Sequence, residues 1–419
     1  MPAAAAIDFG TSNSTLALVK DGRVTQLPLD PYNRVTTLMP TLLYFRPGVP
    51  PVYGAAAIAA YLEHDLEGRL IQSVKRHLPS MSFDGTAFGR TSVTLEMLIG
   101  GFLGRLRGIA EAAAGKPVRH LLLGRPARFA AEEDRDALAE QRLRDAARLA
   151  GFEEVAFQLE PIAAARSFER SIDHDVLCFV GDLGGGTSDF TLIRLGPSHR
   201  GAIDRSGDVL GVAGLDVAGN DIDARLVWSE VAPHFGAHAR YRPDRRMVTV
   251  PTMLHHAMTR WHTLCQATTP KNLSLLDRWI TTADDKQGLE HLRELIRENY
   301  GYLLFQAVES TKIALGASED ARLRFKRGDI DLDLPVARAS FEAAIRPDLA
   351  RISETAHALL DRCGVTPQDV DVAFLTGGTS KLPAVRSMFE GWFPGRIVEQ
   401  DSFTSVGEGL GVEAAERYR

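Results

Sequence analysis

Gly181-Asp182-Leu183-Gly184-Gly185-Gly186-Thr187-Ser188-Asp189 is the stretch whose reading decides the fold. An apolar run rich in β-formers, Val176 to Val180, leads into it. The chain then resumes as an alternating strand through Phe190, Leu192 and Ile193. Three glycines at a strand-to-strand turn let the backbone approach a ligand closely and aim successive N–H groups at one point. Such a nest suits phosphate oxygens, and Asp182 beside it is placed to hold a cation or its water shell. Taken alone, the stretch also reads as a loose glycine hairpin.

The chain repeats the pattern near its start. Ile7-Asp8-Phe9-Gly10-Thr11-Ser12-Asn13-Ser14-Thr15 is again an apolar approach, an aspartate, a Gly/hydroxyl turn and a returning strand. The two aspartates, 8 and 182, stand 174 positions apart in a chain of 419 residues. A turn motif recurring at almost half-length predicts two similar lobes, each with a phosphate hairpin. One nucleotide between them, with Mg²⁺ near both carboxylates, is the economical reading.

The bulk numbers set bounds on this reading. Hydrophobic residues make up 45% and charged residues 24%, as in an ordinary globular protein with room for two sizeable cores. A formal charge of −6 gives no support for nucleic-acid binding through bulk electrostatics. Cys178, Cys265 and Cys363 are odd in number and far apart, which fits a reducing compartment better than a disulfide framework. The start MPAAAAIDFG lacks a basic leader, and no apolar run approaches the ~20 residues that span a bilayer. The expectation is a cytoplasmic monomer without membrane or nucleic-acid partners.

Other candidates are less decisive from residue chemistry alone. Lys75 and Arg76 read either as a solvated surface pair or as a lysine reaching a γ-phosphate. Glu160, just before Pro161, is either a helix-start acid or a carboxylate facing the metal. Gly207, Gly211, Gly214 and Gly219 look like a glycine-punctuated loop opening a helix at Asn220. Residues 230–300 read as an inserted helical subdomain. Its His255, His256, His262, Cys265 and His291 fit no zinc spacing and are read as packing or surface residues. The arginines at 240, 242, 245 and 246 read as a solvated loop. Glu309 and Lys312 form an i, i+3 pair on a helix. Val370 to Leu375 reads as a buried strand ending in Gly377-Gly378, where a parallel sheet places its ligands.

Six motifs occur in the order of a known family: IDFGTSNST (7–15), VKRHL (74–78), LEPIAAA (159–165), GDLGGGTSD (181–189), VESTKIAL (308–315) and LTGGTSKLP (375–383). Together they resemble the ATPase domain of the 70 kDa heat-shock chaperones (DnaK-type), within the actin and sugar-kinase superfamily. The similarity runs from about residue 4 to 412 and is poorest over 230–300, and the short length resembles that of the YegD-like members. It implies an α/β, actin-like two-lobed fold with duplicated ribonuclease-H-like lobes. Lobe I would span 1–170, with an excursion at about 36–95. Lobe II would span 171–419, with a helical subdomain at about 228–318.

The resemblance implies ATP or ADP with Mg²⁺ as cofactors and slow ATP hydrolysis coupled to an unidentified protein partner. Asp8, Asp182 and Asp189 would order the metal's water shell. Gly10, Thr11, Ser12 and Asn13 match the first phosphate loop, and Gly184, Gly185, Gly186 and Thr187 the second. Lys75 falls at the catalytic lysine, which overturns the surface-pair reading, and Glu160 at the glutamate that senses metal and water. Gly219, Asn220, Glu309, Lys312, Gly377, Gly378, Ser380 and Lys381 match adenosine-facing positions. Lys381 replaces the arginine that usually lies against adenine, Asn220 a ribose-binding glutamate, and Gly316 a serine. Pro126 matches a relay proline, whereas Asp134 stands where the relay arginine is expected, with Arg135 beside it. No peptide-binding domain is expected in this chain. An actin-like filament protein, a small-molecule kinase and a nucleotide-gated binding protein are the competing functions.

Overall fold

The computed structural model describes residues 2–33, 35–46, 48–88, 91–130, 132–200, 205–260, 263–264, 267–399 and 405–418. In chain order its strands begin with β1 (Ala4–Phe9), β2 (Asn13–Lys20), β3 (Arg23–Gln26) and β4 (Met39–Pro40). A small-sheet segment follows with β5 (Leu42–Phe45), β6 (Val52–Tyr53), β7 (Arg69–Gln72), β8 (Gly85–Phe88) and β9 (Thr91–Thr94). Then come β10 (His120–Arg125), β11 (Glu154–Leu159), β12 (Val176–Leu183), β13 (Ser188–Leu195) and β14 (Val209–Leu215). The last are β15 (Arg240–Tyr241), β16 (Val248–Thr249), β17 (Asp320–Arg327), β18 (Ile330–Ala337), β19 (Val372–Thr376) and β20 (Ile397–Glu399).

The helices are α1 (Ala55–Glu63), α2 (Leu95–Ala114), α3 (Glu133–Leu149), α4 (Glu160–Ser171), α5 (Gly219–Leu226) and α6 (Met253–Met258). After them come α7 (Pro270–Thr282), α8 (Lys286–Arg297), α9 (Gly301–Ala317), α10 (Arg338–Arg362), α11 (Pro383–Trp392) and α12 (Ser405–Arg417). The chain divides into two compact units, Met1–Ala218 with Ile352–Ser380 and Val385–Arg419, and Gly219–Arg351 with Lys381–Ala384.

The first unit holds two sheets of the same design. One runs β11-β10-β1-β2-β3 and the other β20-β19-β12-β13-β14. In each, a three-strand antiparallel meander is extended by two strands parallel to its first: β10 joins β1, and β19 joins β12. The recurrence of the aspartate–glycine turn is therefore the local trace of a repeated sheet, each turn joining the first two strands of its copy. This is the two-lobed actin-like α/β fold.

Strand alternation sorts the β1 sheet into two faces. Ala5, Ile7 and Phe9 pack with Leu98, Phe102 and Leu106 of α2 and Leu143 of α3, while Ala4 and Ala6 face Ala163 of α4 and Leu410 of α12. A fully buried Phe such as Phe9 or Phe102 contributes ~1.5–3 kcal/mol over its exposed state. The α2 ends are set by Thr94, whose hydroxyl accepts from Met97 N–H, and by Gly115 at φ 68°. On the other face the residues are small because the helices press close. A Cβ on Gly409 would lie 1.9 Å from the Ala163 carbonyl oxygen, so α12 crosses α4 there with backbone nearly in contact. α4 also sends Ile162 and Ala165 into the core of the second sheet, against Val180 and Phe374. It is thus shared by both sheets.

The glycines at 211 and 214 lie inside strand β14, which corrects the reading of that stretch as a loop. Close neighbours explain them: a Cβ would lie 2.6 Å from Cys363 Sγ at Gly211 and 3.0 Å from Asp189 Oδ1 at Gly214. Residues 338–362 form one helix despite Pro347.

The second unit is mostly helical, with the β17–β18 hairpin and a short β15–β16 ribbon. Leu289, Leu292, Leu295 and Ile296 of α8 are buried in it, as are Phe235, Leu254 and Trp279. His255 is fully buried with Nε2 on the Phe235 carbonyl at 2.9 Å, His291 sets its ring edge-on to Phe235, and His256 stacks on Trp228. These histidines act as packing groups, while His262 and Cys265 lie outside the described residues. Arg240, Arg242, Arg245 and Arg246 are exposed, but Arg240 stands in β15 and only the other three lie in the turn that leads to β16. No helix among the described residues is long and apolar enough to cross a membrane.

Candidate nucleotide and metal site

Both glycine hairpins open into one cleft of the first unit, with a cavity of about 1410 Å³. The first is braced by Thr41, whose hydroxyl donates to Gly10 O at 2.8 Å and whose N–H donates to Ser12 O at 2.8 Å. Only glycine fits at position 10, since a Cβ would lie 2.2 Å from Asn13 O. In the second hairpin Gly184 N–H donates to Thr187 O at 3.0 Å, closing the turn. Thr379 donates to Gly184 O at 2.9 Å, so the Gly377-Gly378 turn lies against the hairpin base. Gly377 needs its φ of +81° and its missing side chain, because a Cβ would lie 2.2 Å from Leu183 O. The two hairpin tips converge: a Cβ on Gly186 would lie 3.0 Å from Thr11 Cγ2.

Lys75 stands on a short 3₁₀ turn, Val74–His77, entered through Ser73 at φ 59°. Its Nζ donates to Glu160 Oε1 at 2.8 Å, with the side chains only 10% and 12% exposed. Surface solvation is thereby excluded for Lys75. Glu160 is the first residue of α4, and Gly124 at the end of β10 leaves room for it, since a Cβ would lie 3.1 Å from Glu160 Cγ. Asp182 accepts from the Thr376 hydroxyl at 2.9 Å, and Asp189 from Thr187 at 2.7 Å. Arg135, rather than Asp134, lines the cleft and donates Nε to Pro79 O at 3.1 Å, with Pro126 also in the wall.

The electrostatics follow from four acids around one ammonium. Burial first, then the charges of Glu160 and Asp182, push the Asp8 carboxyl up to about 8 against the pull of Lys75. Burial raises Asp189 to about 7, opposed by the Thr187 hydrogen bond, and Asp182 is raised by burial and Glu160. Burial alone would lower Lys75, but Glu160, Asp8 and Asp182 outweigh it and hold the ammonium above its usual value. A cleft that must protonate its own carboxylates is short of positive charge, and hard oxygen donors suit Mg²⁺. Among the described residues no three acids or imidazoles converge closely enough to ligate one ion. The buried carboxylates of Asp8, Asp182 and Asp189 are the hard oxygen donors such a cation would need.

Gly377, Gly378 and Ser380 belong to the first unit, with Ser380 Oγ donating to Gly377 O at 2.7 Å. Gly219, Asn220, Glu309, Lys312 and Lys381 belong to the second. There Lys312 Nζ is held at 2.8 Å by the buried Asp223, a partner that the sequence pattern does not single out. Burial raises the Glu309 carboxyl, with Lys312 opposing and Asp223 adding. Thr41, Gly124 and Thr376 are also given no individual role by the sequence, and Gly214 is read there only as part of a loop. Thr376 alone carries a signal, as the hydroxyl immediately before a glycine pair at a strand end.

A model of the Hsp70 protein family matches residues 4–235 and 285–410. The unmatched stretch between them holds β15, β16, α6 and α7, within the region where the sequence resemblance is poorest. Members of that family are ATPases with an ATP-binding, chaperone-type nucleotide-binding domain. Two copies of one sheet, each offering its glycine hairpin to a common cleft, are the architecture such a domain requires, and the chain belongs to the Hsp70 family.

Proposed function

We propose that this chain binds Mg·ATP in the cleft and hydrolyses it slowly, coupling closure of the two lobes to a protein partner. The observation that carries the reading is the Lys75–Glu160 contact at 2.8 Å beside the two glycine hairpins. It sets a cation and a base where a γ-phosphate and its attacking water would meet. Backbone amides at Gly10–Asn13 and Gly185–Thr187 cradle the phosphates, and Gly184 closes the turn that presents the second set. Lys75 offsets charge at the transferred group, and Glu160 orients the water. The Thr187 hydroxyl faces the γ-phosphate and is itself oriented by Asp189. Asp8, Asp182 and Asp189 would hold a hydrated Mg²⁺, which would supply positive charge to the phosphate oxygens.

By motif position, Gly219, Asn220, Glu309, Lys312, Gly377, Gly378, Ser380 and Lys381 serve the adenosine. The division into lobe I at 1–170 and lobe II at 171–419, with a helical subdomain at about 228–318, belongs to the same proposal. The protein works as a cytoplasmic monomer. The test is ATP hydrolysis by the purified protein across a Mg²⁺ titration, beside Asp182→Ala. Slow turnover that the variant loses is expected. Tight Mg-dependent ATP binding without turnover would recast the protein as a nucleotide-gated binding module. Absence of both overturns the reading.

A further inference from the structure

α4 carries Glu160 in its first turn and Glu169 in its last. Glu169 is buried, and its carboxylate receives both Nη atoms of Arg205 at 2.7 and 2.8 Å, with the two side chains 3% and 2% exposed. Arg205 belongs to the connection between β13 and β14. Its Nε donates to Asp208 Oδ2 at 2.6 Å, and the other oxygen of Asp208 meets His199 Nδ1 at 2.6 Å. The same connection sends the Gly196 N–H to Glu169 Oε1 at 3.0 Å and the Arg200 guanidinium to the carbonyls of Glu169 and Ile172. The far end of α4 is thus fastened by side chain and by carbonyl to the second sheet. Its other flank meets α12 through Arg166 with Glu413 and Glu416, and through Arg170 with Glu416, in more exposed pairs.

We infer that Glu169 and Arg205 are positioning residues, which pin the distal end of α4 to the β13–β14 connection and so set the reach of Glu160 to Lys75. This rests on the ATPase reading above. The physical basis is leverage. Nine residues of helix separate Glu160 from Glu169, about 14 Å, so a tilt of about 4° at the far end moves the near end by about 1 Å. A misplacement of that size at a reacting centre costs up to about hundredfold in rate. A bidentate guanidinium–carboxylate pair resists such tilting because it fixes direction as well as distance. The hairpin bearing Asp182 and Asp189 belongs to the same sheet, so the pin keeps Glu160 in step with those acids. Lys75 arrives from the first sheet's excursion, so its contact with Glu160 depends on where the pin holds α4.

Glu169→Gln keeps the shape of the site while removing the charge, and Asp208 still partners Arg205. ATP affinity, turnover and hydrogen exchange of the α4 amides would be measured together, with the β1 and β12 amides as internal reference. The expected result is turnover reduced about tenfold to hundredfold with ATP affinity within about twofold, and faster exchange in α4 alone. Wild-type turnover with unchanged α4 exchange overturns the inference. So does a loss of turnover that only follows the folded fraction in a melt, since that is what a purely stabilising pair would give. Should Glu169→Gln fail to fold, the double variant Glu169→Leu/Arg205→Met, which removes the buried pair and leaves Asp208 with His199, is measured in the same way, and the same results support or overturn the inference. If the wild-type protein hydrolyses no ATP, the ATPase reading fails, and the exchange data alone decide whether the pair pins α4.

Discussion

Replacing Lys75 by Met keeps the apolar stem and deletes the ammonium that Glu160, Asp8 and Asp182 surround. At 2.8 Å from Glu160, and with an effective dielectric constant of ~20, the lost attraction is about 6 kcal/mol before desolvation is counted. The fold has a way to absorb this. Asp8, raised to about 8 by burial and by Glu160, is already largely protonated at neutral pH, so deleting the cation does not leave four full carboxylate charges facing one another. The variant is therefore expected to fold. The transition state has no such outlet, because charge on the transferred phosphoryl group then lacks its buried cation. Loss of one preorganised donor of this kind lowers turnover by about 10²–10³, or ~2.7–4 kcal/mol. ATP binding, carried mainly by hairpin amides, changes far less. Single-turnover hydrolysis and ATP titration of the folded variant separate the two. Turnover within about threefold of wild type, less than 1 kcal/mol of barrier, would refute the role given to Lys75.

Thr376→Val removes the hydroxyl that orients Asp182 and should raise the Mg²⁺ concentration needed for half-maximal turnover by about tenfold, read from a Mg²⁺ titration. Gly377→Ala forces a side chain into a left-handed turn and against Leu183 O, so the second hairpin must shift. ATP affinity measured by titration should fall about tenfold or more, and unchanged affinity would show that the turn does not brace the hairpin. His255 is buried neutral, with burial holding its pKa below the usual 6.5. The folded state thus refuses a proton that the unfolded chain accepts, so this contribution is intact above pH 6.5 and is lost as pH falls below it. Fluorescence of the buried Trp279 should report earlier acid unfolding of the second unit in the wild type than in His255→Phe.

What the sequence made legible was local. Each hairpin is a contiguous run of Asp, Gly and hydroxyl residues, so its chemistry could be read without knowing its surroundings, and its recurrence foretold the repeated sheet. Lys75 was opaque to residue chemistry because its meaning lies in Glu160, 85 positions away, reached only when the excursion folds back. β14 looked like a loop because Gly211 and Gly214 are dictated by neighbours, Cys363 and Asp189, that no local pattern reveals. Thr376 and Gly124 serve acids on other elements, Asp182 of β12 and Glu160 of α4, and carry no periodic signature. Asp223 hid in an ordinary helix, its role set by Lys312 on another.

The repeated sheets are alike in topology but not in charge. Across the first hairpin Asp8 is paired with Thr15, and across the second Asp182 is paired with Asp189. A symmetric pair of hairpins would accept a phosphate chain in either direction, since each end would meet the same groups. Here one side offers an extra carboxylate and the other an added lysine from the excursion. The broken symmetry gives the cleft a polarity, so that a phosphate chain would meet unlike groups at its two ends.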